Sequence, residues 1–115
     1  MKLNSVCFLM SMLSFSVLAD SNKEIEHLLN YVALTSCIYE RNGDMYSGNE
    51  AVEHIKKKYD YFIDDIATTE DFVEHSATKS EMSGKHYKIH CMHQPSIKSS
   101  TWLLLELKRY REWVK

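Results

Sequence analysis

The chain has 115 residues, with 14 Lys and Arg against 16 Asp and Glu and a formal net charge of −2. Apart from Lys56-Lys57-Lys58 its cations are scattered, so it carries neither the basic face of a nucleic-acid binder nor a polybasic membrane patch. That length supports one small core and one domain.

Residues 1–19 read as a signal peptide. Lys2 supplies a short positive start, residues 6–17 carry no charge, and Val17 and Ala19 place small residues at the −3 and −1 positions of a cleavage site. The apolar run is short and rich in serine for a membrane span; a retained anchor is the competing reading. Cys7 lies inside the run, so no lipid-attachment cysteine stands at the boundary. The expected product is an exported, periplasmic or secreted chain of residues 20–115 with no membrane span.

Cleavage leaves two cysteines, Cys37 and Cys91. In an exported protein such a pair reads as a disulfide, and a reduced or metal-binding pair is the alternative. Closing a loop of about 55 residues is worth roughly 4 kcal/mol by loop entropy.

Ser21-Asn22-Lys23-Glu24 has the form of a capping box. Ile25, Leu28, Leu29 and Val32 then follow at helical spacing, and this first helix is expected to end near Ser36. Residues 37–41 suit a strand that ends at the Asn42-Gly43 turn. Ser47 or Asn49 is expected to cap a second helix whose stripe runs Val52, Ile55, Tyr59, Phe62, Ile63 and Ile66, with Glu53 and Lys57 as a surface pair. Thr68-Thr69-Glu70-Asp71 opens a shorter helix carrying Phe72, Val73 and Ala77. After Ser83-Gly84, residues 86–91 alternate as a strand. Ser99 or Ser100 is expected to cap the last helix, with Leu103, Leu107, Tyr110 and Val114 on one stripe. Residues 102–105 are apolar nearly all round, so the start of that helix is buried or meets a partner.

The predicted fold is therefore α+β: one small domain, about four helices around a short two-stranded antiparallel sheet, with one disulfide. Placing Cys37 opposite Cys91 sets the register. Tyr39 then faces Ile89, Glu40 faces Lys88, Ile38 faces His90 and Arg41 faces Tyr87. Glu40 against Lys88 is a mildly favourable cross-strand pair.

The stretch Tyr39-Glu40-Arg41-Asn42-Gly43 and the helix carrying Ala51, His54, Ile55 and Lys58 resemble the YfeK-like family of small exported bacterial proteins, a domain-of-unknown-function family. Thr69 to Val73, Ala77 to Ser80, and Ser83-Gly84-Lys85 before Tyr87 extend the resemblance over nearly the whole exported chain. His86 departs from it, since such proteins tend to have proline ahead of the tyrosine. The resemblance implies export and a small α+β domain, and it carries no activity and no site residues.

Four residues stand out as candidate binding groups: Arg41, Asn42, His54 and Lys58. Arg41 offers a planar fork for a carboxylate or phosphate; the competing reading pairs it with Glu40, Asp44 or Glu50, or stacks it on Tyr87. Asn42 with Gly43 equally supplies a turn. His54 and Lys58, four apart, share a helical face. A cation beside the imidazole would lower its pKa and favour the basic form, although residues so placed commonly edge a core. His86, His90, His93 and Cys91 lack the convergent spacing of a zinc site. Asp60, Asp64, Asp65, Glu70 and Asp71 form no calcium loop and read as a solvated helix end. Neither a nucleophile elbow nor a spare thiol is present in the exported chain.

No cofactor or metal is implied. The leading expectation is a non-enzymatic binding or interaction module of the cell envelope, its partner an unidentified protein or envelope component and not nucleic acid. The alternatives are a small envelope hydrolase or other enzyme using His54 and Arg41, and a stress-related structural protein.

Overall fold

The computed structural model describes residues 20–115; residues 1–19, read above as a signal peptide, lie outside the described residues. Helix α1 occupies residues 20–34. Strands β1 (Ile38–Arg41) and β2 (Asp44–Tyr46) follow, then helix α2 (Gly48–Tyr61), a 3₁₀ turn (Ile63–Asp65) and helix α3 (Thr69–Ser76). Strands β3 (Lys88–His90) and β4 (Ile97–Lys98) lead into helix α4 (Ser99–Trp113).

The sheet has four strands in the order β2-β1-β3-β4, every pair antiparallel, rather than the two expected. The extra strands have identifiable causes. Asn42 and Gly43 both adopt positive φ, 53° and 84°, the conformation of a two-residue turn whose twist returns the chain along its own strand. The turn thus starts a hairpin instead of ending a strand, and Arg41 lies opposite Asp44. Strand β4 has two residues, too few to show a period of two in sequence.

The central register agrees with the cysteine-based expectation: Ile38 pairs with His90, Tyr39 with Ile89 and Glu40 with Lys88. The disulfide joins Cys37 and Cys91 with 4.5 Å between their Cα atoms. Only the outermost expected pair fails. Tyr87 gives its N–H to Thr78 and accepts from Ser99, so it leaves the ladder before reaching Arg41.

The inward sheet residues Tyr39 and Ile89 join Leu28, Val32, Ile55, Phe72, Leu103 and Leu107 in one core. Lys88 and Ile38 point to the exposed face. Gly48 permits a close approach of α2 to α1, because a Cβ there would clash with the Val32 carbonyl oxygen. Ser47 and Glu50 form a reciprocal capping box for α2, as Thr68 and Asp71 do for α3, which satisfies N–H groups that a helix start leaves unpaired.

Several local expectations are corrected. Asp20 and Ser21 are already helical, so Ser21 is not a cap, and Glu24 turns to Arg111 and Thr69 instead. Helix α2 stops at Tyr61, where the Phe62 N–H bonds back to Lys58; Ile63 consequently leaves the stripe and is exposed. Glu53 approaches Lys56 at 4.0 Å rather than Lys57. Ser99 is the first residue of α4 and does not cap it; its buried hydroxyl meets that of Tyr39. Trp102 and Leu103 are buried, whereas Leu104 and Leu105 are exposed.

Candidate functional site

Arg41 ends β1 just before the hairpin turn, so the strand holds its backbone while its side chain reaches beyond the sheet toward α2. It is half-buried, and none of the ion pairs among the described residues includes it. The nearby acids are otherwise engaged or apart. Glu40 binds His90 at 2.7 Å, Glu50 accepts from the Ser47 N–H at 3.0 Å, and Asp44 lies across the hairpin with no ion pair of its own. Stacking on Tyr87 is not Arg41's role either: Lys58 lies over that ring, 5.2 Å from its centroid.

Two hollows meet at Arg41, and both also touch Lys58 and Tyr87. The outer one is an open groove of about 540 Å³ between α2 and residues 80–82, lined further by Lys57, Tyr61, Phe62 and Met82. Tyr61 and Met82 are 81% and 98% exposed. One carboxylate, Glu81, borders the groove, and Lys58 pairs with it at 3.4 Å. The inner hollow is small, about 10 Å³, close to the space one water needs. Arg41, Tyr46, His54 and Ser76 are among the residues that bound it.

The structure therefore brings Arg41, His54 and Lys58 together and gives each a different environment. Lys58 is tied to the scaffold: its ammonium donates to the Lys79 carbonyl at 2.6 Å and reaches the Tyr87 hydroxyl at 3.3 Å. His54 stands edge-on to Tyr46, with ring centroids 5.3 Å apart. Partial burial, reinforced by the charges of Arg41 and Lys57, holds its pKa below the usual histidine value, against a smaller opposing pull from Glu50. The imidazole is accordingly neutral near pH 7. Asn42 does not join these groups. Its side-chain amide donates to Ser80 at 3.2 Å and accepts from Ser83 at 2.5 Å, pinning the hairpin turn to the 80–83 loop that walls the groove.

Sequence reasoning missed Lys57, Tyr61, Phe62, Met82 and Ser76. Lys57 carried a signal, since it precedes Lys58 and follows His54 by three positions on one helix. Ser76 and Met82 carried none, because only the packing of α3 and its following loop brings them to Arg41. Of the histidines set aside as ligands, His90 bonds Glu40, His86 forms an isolated bridge with Lys79, and His93 is exposed. Among the described residues no cluster of three or more His, Cys, Asp or Glu is placed to hold a metal ion. Nor is any described helix long and apolar enough to cross a membrane. Of the acidic stretch, Asp60, Asp64 and Asp65 are exposed, Asp71 caps α3, and Glu70 pairs with Arg111 at 2.8 Å.

A second polar cluster, absent from the sequence reading, joins α1 and α4. Glu106 is 5% exposed. It bonds His27 at 2.7 Å and takes a two-point contact from Arg109 at 2.8 and 2.6 Å, and the His27 ring stacks on Tyr110 at 4.1 Å. One helical turn further along α4, Arg111 clamps Glu24 and Glu70.

Comparison with known proteins adds one match. The model of DUF5329, a family of unknown function, matches residues 19–111. No curated protein and no solved structure matches the chain. The chain belongs to the DUF5329 family.

Proposed function

We propose that this DUF5329 member is a non-enzymatic binding module of the cell envelope, exported to the periplasm or beyond, which takes an anionic group of a partner at Arg41. The observation that carries this reading is a half-buried guanidinium without an internal carboxylate, at the head of a groove that also holds Lys57 and exposed aromatic and methionine surface. A partly desolvated cation gains more from a bound anion than a fully solvated one. Its planar fork suits an oxyanion, and the apolar surface beyond it suits the rest of a partner. Export is supported by the leader-like first 19 residues, by the Cys37–Cys91 disulfide and by the resemblance to YfeK-like exported proteins. Intact mass of the protein recovered from a cell-envelope fraction tests it: removal of residues 1–19 with no free thiol is expected, and an uncleaved, reduced chain in the cytosol would overturn it.

Binding is tested by capture from an envelope extract with wild type and Arg41→Lys side by side. Lysine keeps the charge and loses the two-point fork. Capture is expected to fall several-fold while the melting temperature stays nearly constant. Unchanged capture with a large loss of thermal stability would assign Arg41 to the scaffold.

The enzymatic alternative has one observation in its favour: His54 is held in its basic form within the field of Arg41. It requires turnover of a small ester or amide substrate by wild type that His54→Gln abolishes, with folding intact.

A further inference from the structure

The C-terminal end of α2 presents a cluster of exposed apolar side chains. Tyr61 is 81% exposed, Met82 98%, and Ile63 in the following 3₁₀ turn 47%. Tyr61 and Met82 both line the outer groove. The Tyr61 ring is supported from within: it stands edge-on to Phe62, with centroids 4.8 Å apart, and Phe62 stacks on His75 of α3 at 5.4 Å. A supported aromatic ring left in solvent among other apolar side chains marks a place where another surface packs.

The charges around this ring are ordered along the chain. Lys57, Asp60, Asp64 and Asp65 are all exposed, and none of the ion pairs among the described residues includes any of them. Hydrogen-bonded turns run on from α2 into the 3₁₀ turn: the Phe62 N–H bonds the Lys58 carbonyl at 2.9 Å, and the Asp65 N–H bonds that of Phe62 at 2.8 Å. Lys57 thus lies about 6 Å along the helix before Tyr61, while Asp64 and Asp65 follow Tyr61 in the next turn. The order is cation, aromatic, anions.

Such a patch is complementary to itself. An acidic ligand would answer Lys57 and leave the aspartates unpaired, and a basic ligand would do the reverse. A surface carrying both signs in the opposite order answers both, and a second copy turned over by a two-fold axis has that order by symmetry. We infer that the end of α2 is a self-association surface, on which two copies pack antiparallel about a two-fold axis at Tyr61, Lys57 of each meeting Asp64 and Asp65 of the other. The apolar centre, formed by Tyr61 with Met82 and Ile63 beside it, is covered on both sides in this arrangement. The inference goes beyond the anion-binding reading, because it uses the outer lip of the groove and leaves Arg41, at the head, to that reading.

The test is sedimentation equilibrium of the purified disulfide-bonded protein, with a melting curve for each variant. Wild type is expected to pass from monomer to dimer with rising concentration and to go no further. Lys57→Glu, and separately Asp64→Lys combined with Asp65→Lys, are each expected to weaken the dimer at least about tenfold, because each sets like charges together at both contacts. An equimolar mixture of the two variants is expected to recover the wild-type affinity, since opposite charges then meet at both contacts. These positions are exposed, so melting temperatures should hold, and recovery in the mixture requires both proteins to be folded. Wild type that stays monomeric up to about 1 mM, assembly beyond the dimer, unchanged affinity in the reversed variants, or a mixture no tighter than either variant would each overturn the inference. A monomer whose envelope capture still depends on Arg41 would remove the dimer and leave the anion-binding reading standing. A charge-dependent dimer whose capture ignores Arg41 would do the opposite.

Discussion

The seam between α1 and α4 and the groove at Arg41 are similar hollows put to different use. Each is open, of about 620 and 540 Å³, and lined by aromatic and charged side chains. At the seam the buried carboxylate and the guanidinium groups around it are answered within the protein. Glu106 holds His27 and Arg109, and Arg111 joins three helices through Glu24 and Glu70. At the groove, none of the ion pairs among the described residues includes Arg41 or Lys57, and its one carboxylate, Glu81, pairs with Lys58. Hollow size does not distinguish the two regions; satisfaction of polar groups does. Where every charge is paired, the side chains hold the fold. Where a partly buried cation is left open, the protein retains interaction energy for something outside itself.

This contrast can be broken at the seam, and the largest effect is expected from the staple beside it. Cys37→Ser removes the bond between the residue before β1 and the residue after β3, and should cost about 2–5 kcal/mol of stability, read as a denaturant midpoint at unchanged slope. A loss below about 1 kcal/mol would show that the sheet register survives without covalent help.

Glu106→Ala comes next. It leaves His27 and Arg109 without their shared acceptor and opens space in the core. A cost of about 1–3 kcal/mol is expected, with envelope capture per folded molecule unchanged. Reduced capture at full stability would move the binding site to the seam and reverse the comparison.

The smallest and most specific effect is on acid stability. Hydrogen bonds from Arg111 hold the carboxyl groups of Glu24 and Glu70 below the usual glutamate range, and Arg109 does the same for Glu106, each against the opposing effect of burial. Because the folded pKa values lie below the unfolded ones, this stabilisation is complete above about pH 4.5 and is lost as pH falls through the lowered folded values. Melting temperatures measured from pH 7 to pH 2 should fall more steeply for wild type than for Arg111→Gln, whose Glu24 and Glu70 no longer gain by ionising. Parallel curves would mean that the clamp contributes nothing beyond its packing.

Much of this molecule is set locally. The helices α2, α3 and α4 were legible because their apolar residues recur at helical spacing, and two were marked at their starts, by Ser47 or Asn49 and by Thr68 to Asp71, of which the structure uses Ser47 and Thr68 as caps. A short-range rule connects such residues to the backbone N–H groups beside them, and distant parts of the chain do not alter it. The central register was legible for a different reason. One covalent link between Cys37 and Cys91 fixes the offset of two strands, and a period of two then determines every facing pair. Arg41, His54 and Lys58 were found as a group because hairpin and helix are neighbours in sequence.

What remained hidden depends on residues far apart. The edge strands were missed because β2 and β4, of three and two residues, acquire strand geometry only from pairing with β1 and β3. Glu24 read as a cap, yet Arg111, 87 positions away, captures its carboxylate; the stronger charged contact outcompetes the local one. The end of α2 likewise follows from the turn that brings α3 back onto the core. Ser76 gave no sign of its burial in sequence, since an isolated serine at a helix end is ordinary. Only the packing of α3 against α2 and the sheet buries it, leaving its hydroxyl without a hydrogen-bond partner among the described residues. Sequence determined the helices, the central strand pair, the staple and the candidate cation, because each follows from near neighbours or one covalent bond; tertiary structure decided the edge strands and which charges are paired, because both depend on where distant parts of the chain arrive.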